Sequence, residues 1–376
     1  LIVMQMLLKG IRVLDLSTLL PGPMCSLFLA DLGAAVIKVE SLNGDLMRGF
    51  ESYSKQSPYF SALNRNKKSI VLNLKTSEGK KIFMKLAKDV DVIIEGFRPG
   101  KIDSLNLGYK NVKKINPKII YCSITGYGQK GSYRDKAGHD LNYSSLSGLL
   151  DVMSAKPFVP GVQVADVGSA LIAAFSIVSC LFYRERSGKG NYIDLSVFNS
   201  ALSLISIHIA HHSVSRNIKT VLSGSKPCYN VYETKDKRYV SLGAIESKFW
   251  QSFCDATKRK DILLKQFDSS IMKNMKMLFK TKTMKEWLAL SKKYDFCCEP
   301  VRRIEEVIND VDLNNQGTIM TLDGVKQVSL PAIFSNFGKL NYSISPKLGE
   351  HTKNILLAIG YNKRAINKLR KKAVIL

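Results

Sequence analysis

Apolar runs of strand length alternate with stretches of helical period through the first half of the chain. Ile11-Arg12-Val13-Leu14-Asp15-Leu16 is the first such run. Pro21-Gly22-Pro23 then turns the chain, Pro23 suits the first helical position, and residues 24–32 are apolar with Gly33 placed as a cap. Residues 36–40 follow as a second strand. Strand, helix and strand at this spacing form a βαβ crossover, which makes the sheet parallel. Residues 69–74, 92–95 and 118–124 read as further strands, with a helix from Ser77 to Leu86 between the first two. The pattern predicts an α/β chain with a doubly wound sheet.

Residues 169–186 form the longest apolar helical stretch. Val164-Ala165-Asp166-Val167-Gly168 leads into it and Ser187-Gly188-Lys189-Gly190 closes it, with basic residues in the last turn. A strand at 191–197 and a second apolar helix at 198–210 follow. The chain turns polar over 213–227, where a domain boundary is expected. Residues 229–234 and 238–243 flank Lys235-Asp236-Lys237 as a hairpin, and Glu246 sits before an aromatic helix. Residues 258–308 are lysine-rich and helical, 317–330 are β-rich, and the chain from 342 is basic and helical.

Composition changes this picture in a few places. The 376 residues carry a net charge of +25, which favours an anionic partner. The lysines are spread along the whole chain, alongside abundant Asn and Ile, as AT-rich coding sequence favours. Aromatic-plus-basic nucleic-acid motifs are absent, so no nucleic-acid partner is expected. Seven cysteines without C-x-x-C spacing point to free thiols, a reducing compartment and no zinc or other metal site. No run of about 18 apolar residues occurs, so no membrane partner is expected. Residues 1–8 are apolar but lack a basic leader and a cleavage site, which argues against a signal peptide; Met4 or Met6 suits a start. The C-terminal tripeptide is not a peroxisomal address. Together these place the protein in the cytoplasm.

Three groups are candidates for chemistry. His139 lies in Ala137-Gly138-His139-Asp140-Leu141-Asn142-Tyr143, polar and glycine-flanked, a setting suited to proton transfer, although taken alone a loop histidine bonded to a carbonyl is the commoner case. Asp166 reads either as a functional acid or as a helix N-cap. Glu246 reads as a site residue, a first-turn acid or a solvated charge. Gly126-Tyr127-Gly128-Gln129-Lys130-Gly131 matches G-x-G-x-x-G but opens no helix, so it is a loop and not a dinucleotide fingerprint. No G-x-S-x-G elbow and no P-loop occurs.

At these residues the chain resembles the class III coenzyme A transferase superfamily, and within it the α-methylacyl-CoA racemase branch. The matching text includes Gly10-Ile11-Arg12-Val13-Leu14-Asp15-Leu16-Ser17, Ala30-Asp31-Leu32-Gly33-Ala34, Gly96-Phe97-Arg98-Pro99-Gly100, Thr125-Gly126-Tyr127-Gly128-Gln129, Gly138-His139-Asp140-Leu141-Asn142-Tyr143 and Gly243-Ala244-Ile245-Glu246. The resemblance implies a large Rossmann-like domain, a smaller second domain and an interlocked homodimer. It divides the chain into a large domain at 1–212, a small domain of hairpin and helices at 213–330, and a segment at 331–376 returning to the large domain. It implies an isomerase on 2-methylacyl-CoA thioesters, with His139 and Asp166 on opposite faces of the α-carbon and Glu246 pairing with the histidine. It also implies that Leu72, Asn73, Leu74, Lys75, Gly96, Phe97, Arg98, Gly138, Asp140, Leu141, Asn142 and Tyr143 hold the substrate and its coenzyme A moiety. No cofactor beyond that moiety is implied.

An enolate needs an electrostatic partner, and backbone N–H groups near Gly168 are expected to supply it. The alternative within the superfamily is a CoA-transferase with Asp166 as nucleophile, forming a mixed anhydride. Such transferases usually lack the histidine at position 139 and carry a glycine-rich flap, which this chain does not show. A family arginine for the nucleotide phosphates is replaced by Ser41, and a second basic position, after the R-P-G turn, by Ser104. Lys38, Arg48, Arg65, Lys67, Lys68 and Lys101 are the available substitutes.

Overall fold

The computed structural model describes residues 6–51, 57–154, 156–216, 220–335 and 340–376. Met4 and part of the polar 213–227 stretch lie outside them. The chain forms two compact units: Leu1–Ser147, Val159–Leu204 and Asp312–Leu376 make one, and Gly148–Phe158 with Ile205–Val311 the other.

The first unit is built on six parallel strands, β1 (Arg12–Asp15), β2 (Ala35–Glu40), β3 (Lys67–Val71), β4 (Val92–Glu95), β5 (Ile120–Thr125) and β6 (Asn191–Ser196), in the order β3-β2-β1-β4-β5-β6. This is the doubly wound Rossmann-like order. The crossover direction reverses between β1 and β4, and the strands' C-terminal ends open a crevice there. Strands buried on both faces should be continuously apolar, and β4 and β5 are buried at every position.

Helices cover both faces: α1 (Pro21–Asp31), α2 (Pro58–Asn64), α3 (Ser77–Ala87), the short α4 (Lys101–Ser104), α5 (Tyr109–Ile115) and α6 (Asp140–Leu146). After α7 (Leu149–Met153) of the second unit, α8 (Val164–Ser187) and α9 (Val197–Leu204) pack with α1 on one face of the sheet. Pro at the first turn of α1 and the Thr76 side chain accepting from Gly79 N at the head of α3 explain where those helices begin.

The strand expected at 69–74 begins two residues earlier, at Lys67, whose ammonium is fully buried against Asp15 at 3.3 Å. A lysine inside a core strand is invisible to an apolar pattern. The second apolar helix is broken at Ile205, where α9 gives way to α10 (Ser206–Ser215) and the chain passes into the second unit. The return to the large unit comes at Asp312 rather than 331. Arg65, held by Asp31 at 2.6 Å, also donates to Gln327 at 3.2 Å and ties the 319–328 hairpin to this unit.

α8 is long and apolar enough to cross a membrane by length and composition alone. Its Ala165, Ala170, Ala173 and Ile177 are buried with β5, α1 and α9, the packing of a core helix. The opposite stripe, Leu171, Phe175, Val178 and Phe182, is exposed, Phe175 at 74%.

In the second unit, β7 (Tyr229–Glu233) and β8 (Tyr239–Gly243) pair antiparallel around Lys235-Asp236-Lys237, and β9 (Cys298–Pro300) joins β8. The helix α11 (Ser247–Thr257) packs Trp250 and Phe253 into a core with Phe279, Trp287 and Phe296. Both indole N–H groups find carbonyls, Trp250 on Leu263 at 2.9 Å and Trp287 on Phe279 at 2.8 Å, so their burial leaves no donor unpaired.

Candidate active site

Two adjoining cavities open at the C-terminal ends of β1 and β4, at the switch point. The larger, about 590 Å³, is lined by His139, Asp166, Tyr143, Asn142, Gly138 and Arg98, among others. The smaller, about 360 Å³, is lined by Leu72, Asn73, Leu74, Lys75, Lys101 and Ser41, among others. Phe97 contributes to both.

His139 caps the start of α6, and its backbone N–H donates to the Asn142 side chain at 3.0 Å. That bond sets the angle at which the chain enters the helix. Its ring is exposed to the larger cavity. Tyr143, one turn on, folds back and donates its hydroxyl to the Gly138 carbonyl at 2.6 Å. The ring lies so close that a Cβ at Gly138 would sit 2.8 Å from Tyr143 Cε1, and one at Gly126 2.5 Å from its hydroxyl. Two glycines of the 126–139 loop therefore serve this close approach. Burial foremost, then the nearby Asp166 carboxylate, pushes the Tyr143 hydroxyl up to about 12. It remains a donor at neutral pH.

Asp166 is not the N-cap of α8. Gln163 is, and Asp166 sits in the first turn, half-buried. Its backbone N–H donates to the buried Asp140 carboxylate at 3.0 Å, so α6 and α8 are pinned together by the residue after the histidine. Burial first, and Asp140 second, raise the Asp166 carboxyl to about 7. A carboxyl poised there can both accept and give a proton near neutrality. Gly168 lies inside α8, where a Cβ would meet Leu204 at 2.9 Å, and its N–H is not among the free donors of the helix end. The Gly168 amide itself therefore belongs to the helix ladder, and the donors of this helix start precede it. Leu141 is exposed on α6 and lines neither cavity. Glu246 precedes α11 in the second unit with its side chain exposed.

The substitute cations separate cleanly. Lys38 is fully buried, 2.8 Å from Asp45 and donating to the Ser17 carbonyl at 2.9 Å. Arg48 is paired with Glu40 at 2.7 Å, Arg65 with Asp31 and Lys67 with Asp15. Burial would raise the Asp15 carboxyl, but Lys38 and Lys67 hold it down to about 2. Lys68 lines a different cavity, at the opposite ends of the strands beside Arg12 and Ala35. Lys101 alone of the six lines the smaller cavity, alongside Lys75 and Ser41, and Ser104 turns its hydroxyl onto the Lys101 carbonyl at 2.7 Å. Sequence alone had no way to make this selection, because pairing across the sheet is a long-range fact. No group of three or more metal-ligating side chains occurs among the described residues.

The model of CoA-transferase family III matches residues 8–352. The chain belongs to CoA-transferase family III. It is 33% identical to mouse succinyl-CoA:glutarate CoA-transferase, over 96% of this chain and 88% of that protein. It is equally 33% identical to human alpha-methylacyl-CoA racemase, over 98% of each. Among solved structures, a CAIB/BAIF family protein from Brucella suis matches with a TM-score of 0.83 and 29% identity, covering 94% of this chain and all, 100%, of that one. Family III thus holds relatives of two activities at the same distance from this chain, and the choice between them rests on the site's chemistry.

Proposed function

We propose that the protein interconverts (2R)- and (2S)-2-methylacyl-CoA thioesters by carrying a proton from one face of the α-carbon to the other through an enolate. The observation that carries the reading is that His139 and an Asp166 carboxyl raised to about 7 line one cavity. A 1,1-proton transfer needs one base and one acid at once, exchanging roles with direction. Each group must therefore be stable in both protonation states near neutrality. One takes the α-proton, the enolate forms, and the other returns a proton to the far face. The coenzyme A moiety is part of the substrate, and no further cofactor is required.

The test is α-proton wash-out in heavy water, for which both enantiomers of a 2-methylacyl-CoA should exchange with purified protein. The transferase relatives favour a second reading. In it the ionised Asp166 attacks the thioester carbonyl, the C–S bond breaks, and a mixed anhydride forms as CoA thiolate leaves. Acyl exchange with a free carboxylate, hydroxylamine trapping at Asp166 and no wash-out would decide for it.

In this reading the smaller cavity takes the nucleotide end of coenzyme A, with Lys75 and Lys101 meeting its phosphates where the family's basic residues are missing. Lys101→Ala should raise KM for the thioester about tenfold with kcat little changed, the loss expected of one charge-assisted contact. Steady-state kinetics check this, with Lys68→Ala leaving KM unmoved as the control.

The partner we assign is a second copy of the chain. The uncovered Leu171, Phe175, Val178 and Phe182 stripe on α8 is the kind of contiguous apolar face that a stable interface buries. In the paired assembly Glu246 takes the role of orienting His139. Sedimentation should show a dimer, and Phe175→Glu, which places a charge in that stripe, should shift it towards monomer.

A further inference from the structure

Glu95 ends β4, directly before the Gly96-Phe97-Arg98 turn that borders the larger cavity and, through Phe97, the smaller. It is 1% exposed. Its Oε2 accepts the Phe97 N–H at 2.8 Å, and its Oε1 has no hydrogen-bond partner. Among the described residues it is a buried carboxylate that nothing above employs. Its surroundings come from three elements: Tyr121 and Ser123 on β5, Tyr192 and Asp194 on β6, and Asp103 on α4. The two charged groups among them are both acidic. An acid kept in such a place, with one oxygen unpaired, is costly to ionise. Burial foremost, with Asp103 and Asp194 adding to it against the Phe97 N–H bond and the nearby Ser123 hydroxyl, raises it to about 7.

We infer that Glu95 is a positioning residue whose carboxylate, through the Phe97 N–H, sets the turn shared by both cavities, so that protonating it loosens the grip on a coenzyme A thioester. This rests on reading the two cavities as the thioester site. A charge-assisted N–H···O⁻ bond is about twice as strong as its neutral counterpart. The incoming proton has a place to go, the unpartnered Oε1, and the bond that remains on Oε2 is the weaker kind. The turn therefore tightens as pH rises through about 7, even though the ionised acid burdens the fold. Folded Glu95 releases its proton later than in the unfolded chain, so stability falls as pH climbs from about 4.5 to about 7.

Glu95→Gln fixes the neutral state without removing the acceptor, and the full chain is used throughout. In ligand-free protein the Phe97 amide resonance should titrate with a midpoint of about 7 in the wild type and stay flat in the variant. Calorimetric affinity for free coenzyme A should weaken about threefold to tenfold in the wild type from about pH 8 to about pH 6, and rest at the weak value throughout in Glu95→Gln. Asp166, which also titrates in the larger cavity, is unchanged between the two proteins. The variant should also melt above the wild type at about pH 8, whereas a merely structural acid would lower the melting temperature when replaced. An unaltered Phe97 titration in the variant, or wild-type affinity for coenzyme A at about pH 8, overturns the assignment. Failure of the wild type to bind coenzyme A at any pH sinks the thioester reading instead, while a Glu95-dependent Phe97 titration still supports the positioning role.

Discussion

Replacing His139 with alanine should slow racemisation of a 2-methylacyl-CoA by about 10²–10⁴, the usual worth of a positioned acid–base group. The change should not silence proton chemistry entirely. Asp166 remains in the cavity, so α-proton wash-out should persist from the one enantiomer whose proton faces it and vanish from the other. The pH dependence should change in form as well. In the intact pair, racemisation in either direction needs one proton shared between the two groups. The two reactive forms differ in where that proton sits and not in how many there are. The profile is therefore bell-shaped and the same for both enantiomers. With the imidazole gone, the residual exchange depends on ionised Asp166 alone and should climb through about pH 7 to a plateau. Deuterium incorporation followed by mass spectrometry on each enantiomer measures both effects. Undiminished exchange from both faces would remove His139 from the mechanism.

The parts of this site that sequence reveals are those written in contiguous text. Gly138-His139-Asp140-Leu141-Asn142-Tyr143 stands out as a polar, glycine-flanked stretch, and the helix that starts at Asp140 is added by the structure. The βαβ rhythm is legible because β1, β4 and β5 are short apolar runs with turn residues between them, and a parallel doubly wound sheet follows from it. What is hidden depends on partners far along the chain. Lys67 reads as an available cation for the nucleotide phosphates until Asp15, Asn64 and the Pro23 carbonyl close around its ammonium. Asp166 can be read as a cap because the residues before it, Val164 and Ala165, give no start signal, and the helix begins at Val164 all the same. Its raised carboxyl depends on burial first and then on Asp140, 26 positions away in sequence, neither of which a local pattern encodes. Glu95 ends a strand whose other residues are all apolar, and only the completed sheet leaves one of its oxygens without a partner.

The counterpart experiment on the carboxylate should show activity and stability moving in opposite directions. Asp166→Asn keeps the shape and the first-turn position while removing the proton carrier, so racemisation should fall by about 10²–10⁴, with wash-out confined to the enantiomer that His139 reaches. Stability should rise. The folded carboxyl titrates at about 7 against 3.8 for an unhindered aspartate, so the folded protein holds a proton that the unfolded chain has released across that window. Raising pH through it therefore costs the wild type stability, and the cost is complete above about 7. The amide carries none of it. The side chain is half-buried and partly screened, which discounts the full shift to about 1 kcal/mol, or about 2–4 °C in melting temperature. The variant should melt higher by that amount at about pH 8, and the gap should close towards about pH 4. A variant that loses racemisation and also melts lower at about pH 8 would mean that the carboxylate is a structural first-turn acid whose charge supports the start of α8. A gain in stability with one-sided exchange is the signature of a group held at a cost for its chemistry.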